Sequence, residues 1–291
     1  MASLDDLRKR IVSVKSTQKI TKAMKMVAAA KLRKAQESAE RGRPYSEKMQ
    51  NIILNLTESI SDPANAPKLL VGTGKEQTHL CVVMTSDKGL CGGFNSNICR
   101  LAKNYFLKVL KEGKNLKIIT IGLKGHDQLK REYGKYIINK LSFKDRKKIS
   151  FNEADEVGRI ILDLFEKNEF DKCLLFYNNF KNVITQIPQA QQIIPAEKKE
   201  SSKTKNEIFY EFEPDEDEIL EDLLPKNIST QVFKAFLENS ASEQGSRMTA
   251  MDNATRNAGD LVKSLTIVYN RSRQAAITKE LIEIISGAES L

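Results

Sequence analysis

Apolar residues recur at helical spacing through the first part of the chain. From Ser3 to about Leu56 they step by three and four positions, with Ser3 as a helix N-cap followed by two aspartates. Pro44 falls within this stretch, and because the periodicity continues beyond it, we expect a kink there and not the end of the helix. The pattern predicts one long helix whose coiled-coil seam has a polar gap. The seam positions are Leu4, Leu7, Ile11, Val14, Gln18, Thr21, Lys25, Ala28, Leu32, Ala35 and Ala39.

A second long helix is predicted at the other end of the chain. It runs from Glu216 to Ser286, with Gly287 just past its end as a C-cap. Both seams are rich in alanine, and because small side chains let two helices approach closely, we expect the first helix to pair with the last. The seam of the last helix is predicted at Ala254, Ala258, Leu261, Leu265, Val268, Ser272 and Ala275.

Between these helices the pattern changes to short apolar runs separated by helical segments. This alternation is typical of an α/β domain with a mostly parallel sheet and helices on its faces. The polar tract 197–205 is expected to be a loop. The predicted strands are 79–85, 116–121, 136–142, 172–178 and 183–193, and the predicted helices lie near 94–112, 123–132 and 153–167.

The lengths of the two helices predict a protruding rod. About 55 and 70 helical residues give rods of roughly 80 and 100 Å, whereas a central domain of about 140 residues is roughly 40 Å across. If the helices run antiparallel, the last one extends unaccompanied by roughly ten to fifteen residues. That end carries an apolar stripe at Ile277, Leu281, Ile284 and Ile285. An exposed apolar stripe marks a binding surface, so we expect a protein that acts inside a larger assembly.

Composition and charge narrow the function classes. The 291 residues carry 47 Lys and Arg against 38 Asp and Glu, a net charge of +9. No apolar run approaches the roughly 18 to 20 residues of a membrane span, and the acidic start lacks a signal-peptide core. The four cysteines form no CxxC pair, which favours buried, reduced thiols, and with only His79 and His126 beside them a zinc site is disfavoured.

No constellation in the sequence predicts catalysis. HExxH and GxSxG motifs are absent, and no histidine is placed with a nucleophile. The segment Thr85–Asn95 follows a predicted strand and precedes a helix, where backbone amides can hold an anion. It lacks the GxGxxG spacing and the Lys-Ser/Thr ending of nucleotide loops, so a structural turn or docking surface is favoured over a nucleotide site.

The charges are unevenly distributed along the chain. Residues 8–34 contain ten Lys or Arg and no acid, whereas residues 206–225 contain nine acids and no base. A basic helix joined to heptads is also found in DNA-binding zippers, which makes nucleic-acid binding the alternative. Against it, the cations lie on several sides of the helix and overlap the seam, and no aromatic residue precedes Tyr45 to stack on bases.

Four segments resemble, in order, the gamma subunit of F-type ATP synthase: 10–31, 85–95, 242–258 and 273–287. The resemblance covers nearly the whole chain. It implies an α/β fold in which an antiparallel coiled coil of the long N- and C-terminal helices (1–57 and 216–287) flanks a Rossmann-like domain (78–195). It also implies a central-stalk rotor that couples rotation of the membrane c ring to the catalytic alpha–beta hexamer, with no catalytic residue, metal or cofactor of its own.

The resemblance further implies two sets of partner contacts. The partners are three alpha and three beta subunits, the epsilon subunit and the c ring, with no nucleic acid. Attachment to the cytoplasmic face of a bacterial inner membrane is expected through the complex alone, with the matrix side of a mitochondrial inner membrane as the alternative. Expected contacts with the ring are Lys15, Met24, Glu243, Arg247, Arg273, Gln274, Ile277, Thr278, Leu281 and Ile285. Expected contacts at the base are Lys88, Gly89, Gly92, Gly93, Phe94, Phe212 and Glu213.

Overall fold

A computed structural model describes residues 3–59, 67–146, 150–196 and 216–289. Along the chain, one long helix precedes and another follows a run of alternating strands and shorter helices, as the sequence predicts. The elements are α1 (Leu4–Ser59), α2 (Lys68–Val71), β1 (Thr78–Met84), α3 (Phe94–Lys111), β2 (Asn115–Ile121), α4 (Leu123–Tyr133), β3 (Ile137–Leu141), α5 (Phe151–Glu166), β4 (Lys172–Phe180), β5 (Gln186–Ile194) and α6 (Glu216–Glu289).

The five strands form one sheet in the order β3-β2-β1-β4-β5. The first four are parallel, and β5 runs antiparallel to β4 at the edge. Side chains alternate between the two faces of β1. Leu80 and Val82 pack with α5 and α6, whereas Cys81 and Val83 pack with α3 and α4. Both faces are therefore covered by helices, which explains the nearly continuous apolar runs in the sequence.

The chain divides into two compact units, and both long helices contribute to each. One unit comprises residues 1–30 and 247–291, and the other comprises residues 31–246. In the second unit, Met49 and Ile53 of α1 pack with Leu220 and Leu224 of α6 and with Leu70 of α2.

The first unit is an antiparallel helix pair. Lys25 Nζ donates to Asp252 Oδ1 at 2.5 Å, and Thr255 Oγ1 donates to Thr21 Oγ1 at 2.8 Å. Gly259 lies against Gln18. Residue numbers on α6 thus rise as those on α1 fall. The α/β architecture with long terminal helices is confirmed.

Two details of α6 differ from the prediction. Ala258, Leu265 and Ser272 turn inward as expected. The other inward positions are Val262, Tyr269 and Ala276, while the predicted Leu261, Val268 and Ala275 are exposed. The predicted and observed seams differ only in the order of their steps of three and four residues. Both orders average 3.5 residues, so the spacing of apolar residues alone does not distinguish the two seams. Gly287 lies within α6, which continues to Glu289, so the predicted C-cap is wrong; glycine lowers helix propensity without enforcing a stop.

Pro44 does not end α1. The helix continues through it to Ser59, as the periodicity beyond the proline predicts. The ring removes one backbone donor. Apolar packing of the following turns, which includes Met49 and Ile53, holds the helix together past this point.

Candidate functional site

The end of α6 presents an exposed apolar stripe. Ile277, Leu281, Ile284 and Ile285 are 49%, 53%, 68% and 58% exposed. At about 100° per residue, these four side chains, together with Arg273, Gln274 and Thr278, fall within an arc of roughly 140°. The structure therefore places six of the ten predicted ring contacts on one side of one helix.

This stripe is separate from the seam that pairs α6 with α1. The inward positions Tyr269, Ser272 and Ala276 point roughly 130° away from the centre of the stripe around the helix axis. Beyond Ala276 the seam face carries Lys279 and Glu283, whose Nζ and Oε1 atoms are 3.6 Å apart. The apolar residues of the stripe are thus not a continuation of the coiled-coil core.

The register of the helix pair leaves this end of α6 without a partner in the described part of α1. Extending the pairing of Thr21 with Thr255 by one residue on α6 for each on α1 sets Ser3 opposite about residue 273 or 274. About fifteen residues of α6, or roughly 22 Å, lie beyond that point. This overhang agrees with the length predicted from the sequence.

The other four predicted ring contacts are spread along the helices. Lys15 is exposed and Met24 is half-buried on α1, while Arg247 and Glu243 are half-buried on α6. In the antiparallel register Lys15 lies near residue 262 of α6, roughly 16 Å along the axis from Arg273. Within the first unit, Lys15, Met24 and Arg247 do not form one cluster with the stripe.

The loop after β1, residues 85–93, is the second candidate surface. Its backbone is fixed from within by buried side chains. Ser86 N–H donates to Asn95 Oδ1 at 3.0 Å, and Asn95 Nδ2 donates to Ser86 Oγ at 2.8 Å. Asp87 accepts from Leu123 N–H at 3.0 Å and from the Ser142 hydroxyl at 2.8 Å. The loop is therefore a rigid turn.

The tip of this turn, residues 88–93, is rich in glycine and exposes one large apolar side chain. Leu90 is 63% exposed and has a positive φ of 63°, and Lys88, Gly92 and Gly93 are also exposed. Phe94, in contrast, is buried and packs inside the protein. Leu90 is absent from the predicted contacts, although a large apolar residue inside a polar, glycine-rich loop is a sequence feature that singles it out. Gly89 is partly buried, and Phe212 and Glu213 lie outside the described residues.

The place where dinucleotide-binding folds hold their ligand is filled by the protein itself. In such folds the crevice opens at the carboxyl ends of the strands where the sheet order reverses, here between β1 and β4. Ser246 Oγ of α6 donates to Cys91 O at 2.7 Å, and Ser242 Oγ donates to Asn178 O at 3.0 Å. These contacts favour the structural turn over a nucleotide site.

His79 and the four cysteines are buried in the interior, whereas His126 on α4 is half-buried. His79 Nδ1 lies 2.8 Å from the Tyr105 hydroxyl, and burial lowers the pKa of His79. All four cysteines are buried and form no disulfide, and burial raises the pKa of Cys99 to about 11. Among the described residues, no three His, Cys, Asp or Glu side chains are grouped closely enough to hold a metal.

No helix in the described part of the chain is both long enough and apolar enough to cross a membrane. The basic tract of α1 is solvated except at Lys25, which turns toward Asp252 and lowers the pKa of that carboxylate.

Comparison with known proteins supports one family over the full length. The family model described as ATP synthase matches residues 3–291. The ATP synthase gamma chain of Pelagibacter ubique is 72% identical over 291 residues, and that of Rhizobium etli is 55% identical over 294, each covering 100% of both chains.

Solved structures agree with this match. A chain of the Tetrahymena thermophila mitochondrial ATP synthase central stalk and c ring superposes with a TM-score of 0.61 at 27% identity, over 81% of this chain and 99% of that one. A chain of the Euglena gracilis mitochondrial enzyme superposes with a TM-score of 0.69 at 19% identity, over 99% of this chain and 94% of that one, which bears on the fold alone. With full-length identities of this size and the paired long helices described above, the chain belongs to the ATP synthase gamma chain family.

Proposed function

We propose that this chain is the central rotor shaft of an F-type proton-transporting ATP synthase. It turns with the membrane c ring and drives the alpha–beta hexamer through its conformational cycle for ATP synthesis. The observation that carries this proposal is the apolar stripe of Ile277, Leu281, Ile284 and Ile285. It lies beyond the described part of α1 and on a different face of α6 from the seam. A stripe of this kind needs a surrounding protein surface.

The mechanism follows from asymmetry. The stripe occupies one side of one helix, so a ring of three equivalent beta subunits meets a different face of the shaft at each position. A shaft that binds the open and closed states of a beta subunit with different affinity shifts its conformational equilibrium, and rotation presents that bias to each subunit in turn. Lys15, Met24, Glu243 and Arg247 supply further contacts along the shaft.

The base of the rotor is formed by the loop after β1. Its exposed tip, Lys88, Leu90, Gly92 and Gly93, offers a rigid surface to the epsilon subunit and the c ring, and we assign Phe212 and Glu213 to the same contact. Because Asp87 and Asn95 fix the loop by hydrogen bonds, it can transmit force to its partners without changing its conformation.

The chain itself is a non-catalytic subunit. Its own α6 side chains fill the crevice where a nucleotide would bind in a related fold, and it needs no cofactor or metal. Gamma chains of bacteria match it over their full length, so we place it on the cytoplasmic face of the bacterial inner membrane, attached through the complex. Nucleic-acid binding, the alternative from the basic tract, finds no support in the family match.

Reconstitution tests the rotor function. The full chain is mixed with alpha and beta subunits of a bacterial relative, and the complex is isolated by size exclusion. We expect a stable complex with ATPase activity that alpha and beta alone do not sustain. Absence of a complex would overturn the proposal. A gel-shift titration at physiological salt is the counter-test, and duplex-dependent binding at micromolar or tighter concentration would favour the alternative.

A further inference from the structure

The last residues of β4 are held by side chains from both long helices. Glu238 of α6 accepts from Phe180 N–H at 3.0 Å through Oε2. Arg43 of α1 donates to Glu238 Oε1 at 2.8 Å and to Oε2 at 3.2 Å. The same guanidinium donates to Phe180 O at 3.2 Å. Both main-chain groups of Phe180 are therefore bound by one ion pair that bridges α1 and α6.

The main-chain groups of a second residue of β4, Asn178, are bound by side chains of α6 alone. Asn178 N–H donates to Asn239 Oδ1 at 3.2 Å, and Ser242 Oγ donates to Asn178 O at 3.0 Å. The geometry of the sheet explains why these groups are available. The pairing of β1 with β4 ends at Phe176, whereas β4 continues to Phe180. The backbone groups past that end need partners, and helix side chains supply them.

The ion pair is costly to place where it is. The Glu238 side chain is only 4% exposed, and a buried carboxylate is tolerated only when it is paired and hydrogen-bonded. The hydrogen bond to Glu238 raises the pKa of Arg43. Apolar residues of similar volume often give equal or greater stability than an ion pair, but here they would leave the N–H and C=O of Phe180 without these partners. The pair therefore satisfies the end of β4, and its directional bonds also fix one relative orientation of three elements.

We propose that Arg43, Glu238, Asn239 and Ser242 form a torque-transmitting joint between the sheet and the two long helices. This inference rests on the proposed rotor function, in which force enters at the α/β domain and leaves through α1 and α6. Apolar contacts are non-directional and let helices roll against a sheet. The charge-assisted bonds to Phe180 resist that motion, because any roll of α1 or α6 stretches them.

The test compares variants of the full chain in the reconstituted, membrane-embedded complex. Arg43→Met with Glu238→Leu replaces the joint by apolar packing. Lys117→Met with Glu169→Met is the matched control, since that pair is joined at 2.7 Å within the α/β domain and binds neither long helix. The readouts are ATP hydrolysis, protons pumped per ATP, and the angular fluctuation of a probe on the α/β domain while the hexamer is immobilised.

We expect the joint variant to assemble and hydrolyse ATP like wild type. Its probe should fluctuate over a wider angle, with torsional stiffness lowered at least about twofold, because the directional bonds are gone. Pumping per ATP should fall, and the control should match wild type in all three readouts. Arg43→Lys, which keeps the charge but not the forked contacts, should be intermediate and serves where the double variant folds poorly.

The outcomes separate the two proposals. Unchanged stiffness in the double variant, or in Arg43→Lys if only that variant folds, would overturn the joint while leaving the rotor function intact. Failure of the wild-type chain to assemble would overturn the rotor function, and the joint with it. Val157→Ala, a core change outside the joint, is expected to lower thermal stability without changing torsional stiffness. If this variant lost as much stiffness as the joint variant, the effect would reflect general destabilisation, and the proposed joint would be overturned.

Discussion

At the scale of single residues, Thr85 fixes the turn that leads from the sheet to α4. Its hydroxyl donates to Ile121 O at 3.0 Å and accepts from Gly125 N–H at 2.9 Å. Gly122 passes close beneath it with φ 95°, and a Cβ at that position would lie 2.3 Å from Thr85 O. This crossing is possible only because the residue has no side chain.

Replacing Gly122 by alanine is expected to destabilise the protein strongly. The new methyl group meets backbone and the conformation is left-handed, so the free energy of unfolding should fall by about 2 to 4 kcal/mol. Gly113→Ala is the matched control: its φ is 71°, but nothing lies within 4 Å of a Cβ there. It should lose only about 1 kcal/mol. Urea denaturation measures both, and equal losses would contradict the role assigned to the close approach.

His79 should make the second unit sensitive to acid. Burial, followed by Lys114 and Lys172, lowers its pKa from the ordinary value of 6.5. Below about pH 6.5 the unfolded chain then binds a proton that the folded chain does not, so stability is complete above that pH and falls as pH drops through it. The urea midpoint of wild type should decline toward pH 5 more steeply than that of His79→Gln. If the urea midpoints of the two proteins declined in parallel with pH, His79 would not be the source of the acid sensitivity. The pKa of His126 is also lowered, but this residue is present in both proteins and contributes equally to both.

At the scale of elements, the strands and helices follow closely from the sequence because their patterns are local. One difference is the start of β5, predicted at 183 and found at Gln186. Val183, Ile184 and Thr185 have the composition of a strand. However, Asn182 Oδ1 accepts from the N–H groups of Ile184 and Thr185 at 3.0 and 2.7 Å, which holds them in a turn.

Long-range matches are what the sequence could not supply. The polar gap in the α1 seam is visible in the sequence, but its partners on α6 are not. Gln18 needs the space at Gly259, and Lys25 needs Asp252. Likewise, the exposed stripe of α6 was predicted from periodicity, whereas the bond between Arg43 and Glu238 joins positions 195 residues apart that carry no shared pattern.

The hydrogen-bonded threonines in this gap should specify register more than stability. Thr21→Val or Thr255→Val alone leaves one hydroxyl without its cross-helix partner and should cost about 1 kcal/mol at most, because Thr255 also bonds Met251 O. The double replacement has two apolar side chains of similar size in contact and should recover most of that loss. Thermal unfolding followed by circular dichroism of the full chain closes the double-mutant cycle, and strictly additive losses would contradict the pairing.

At the scale of the whole molecule, the net charge of +9 is a poor guide to partners. The ten cations of residues 8–34 lie on a helix whose inward face pairs with α6, and Lys25 is used in that pairing. Two of the surfaces where apolar side chains face solvent are more informative about partners than the net charge is. One is Leu90 on the fixed loop after β1, and the other is the stripe at the end of α6.

The stripe yields the sharpest separation of folding from function. Leu281→Lys removes an apolar side chain that is 53% exposed and outside the seam, so the thermal midpoint of the free chain should stay within about 2 °C of wild type. If the ring binds the stripe as we propose, the new cation lies against the ring in the reconstituted complex, so assembly or ATP-driven proton pumping should fall at least about tenfold. Lys279→Gln, two residues away but on the seam face, is the control and should leave both measurements near wild type. If Leu281→Lys destabilised the free chain instead, the residue would belong to the core of this protein; if neither measurement changed, the stripe would not be the surface that the ring binds.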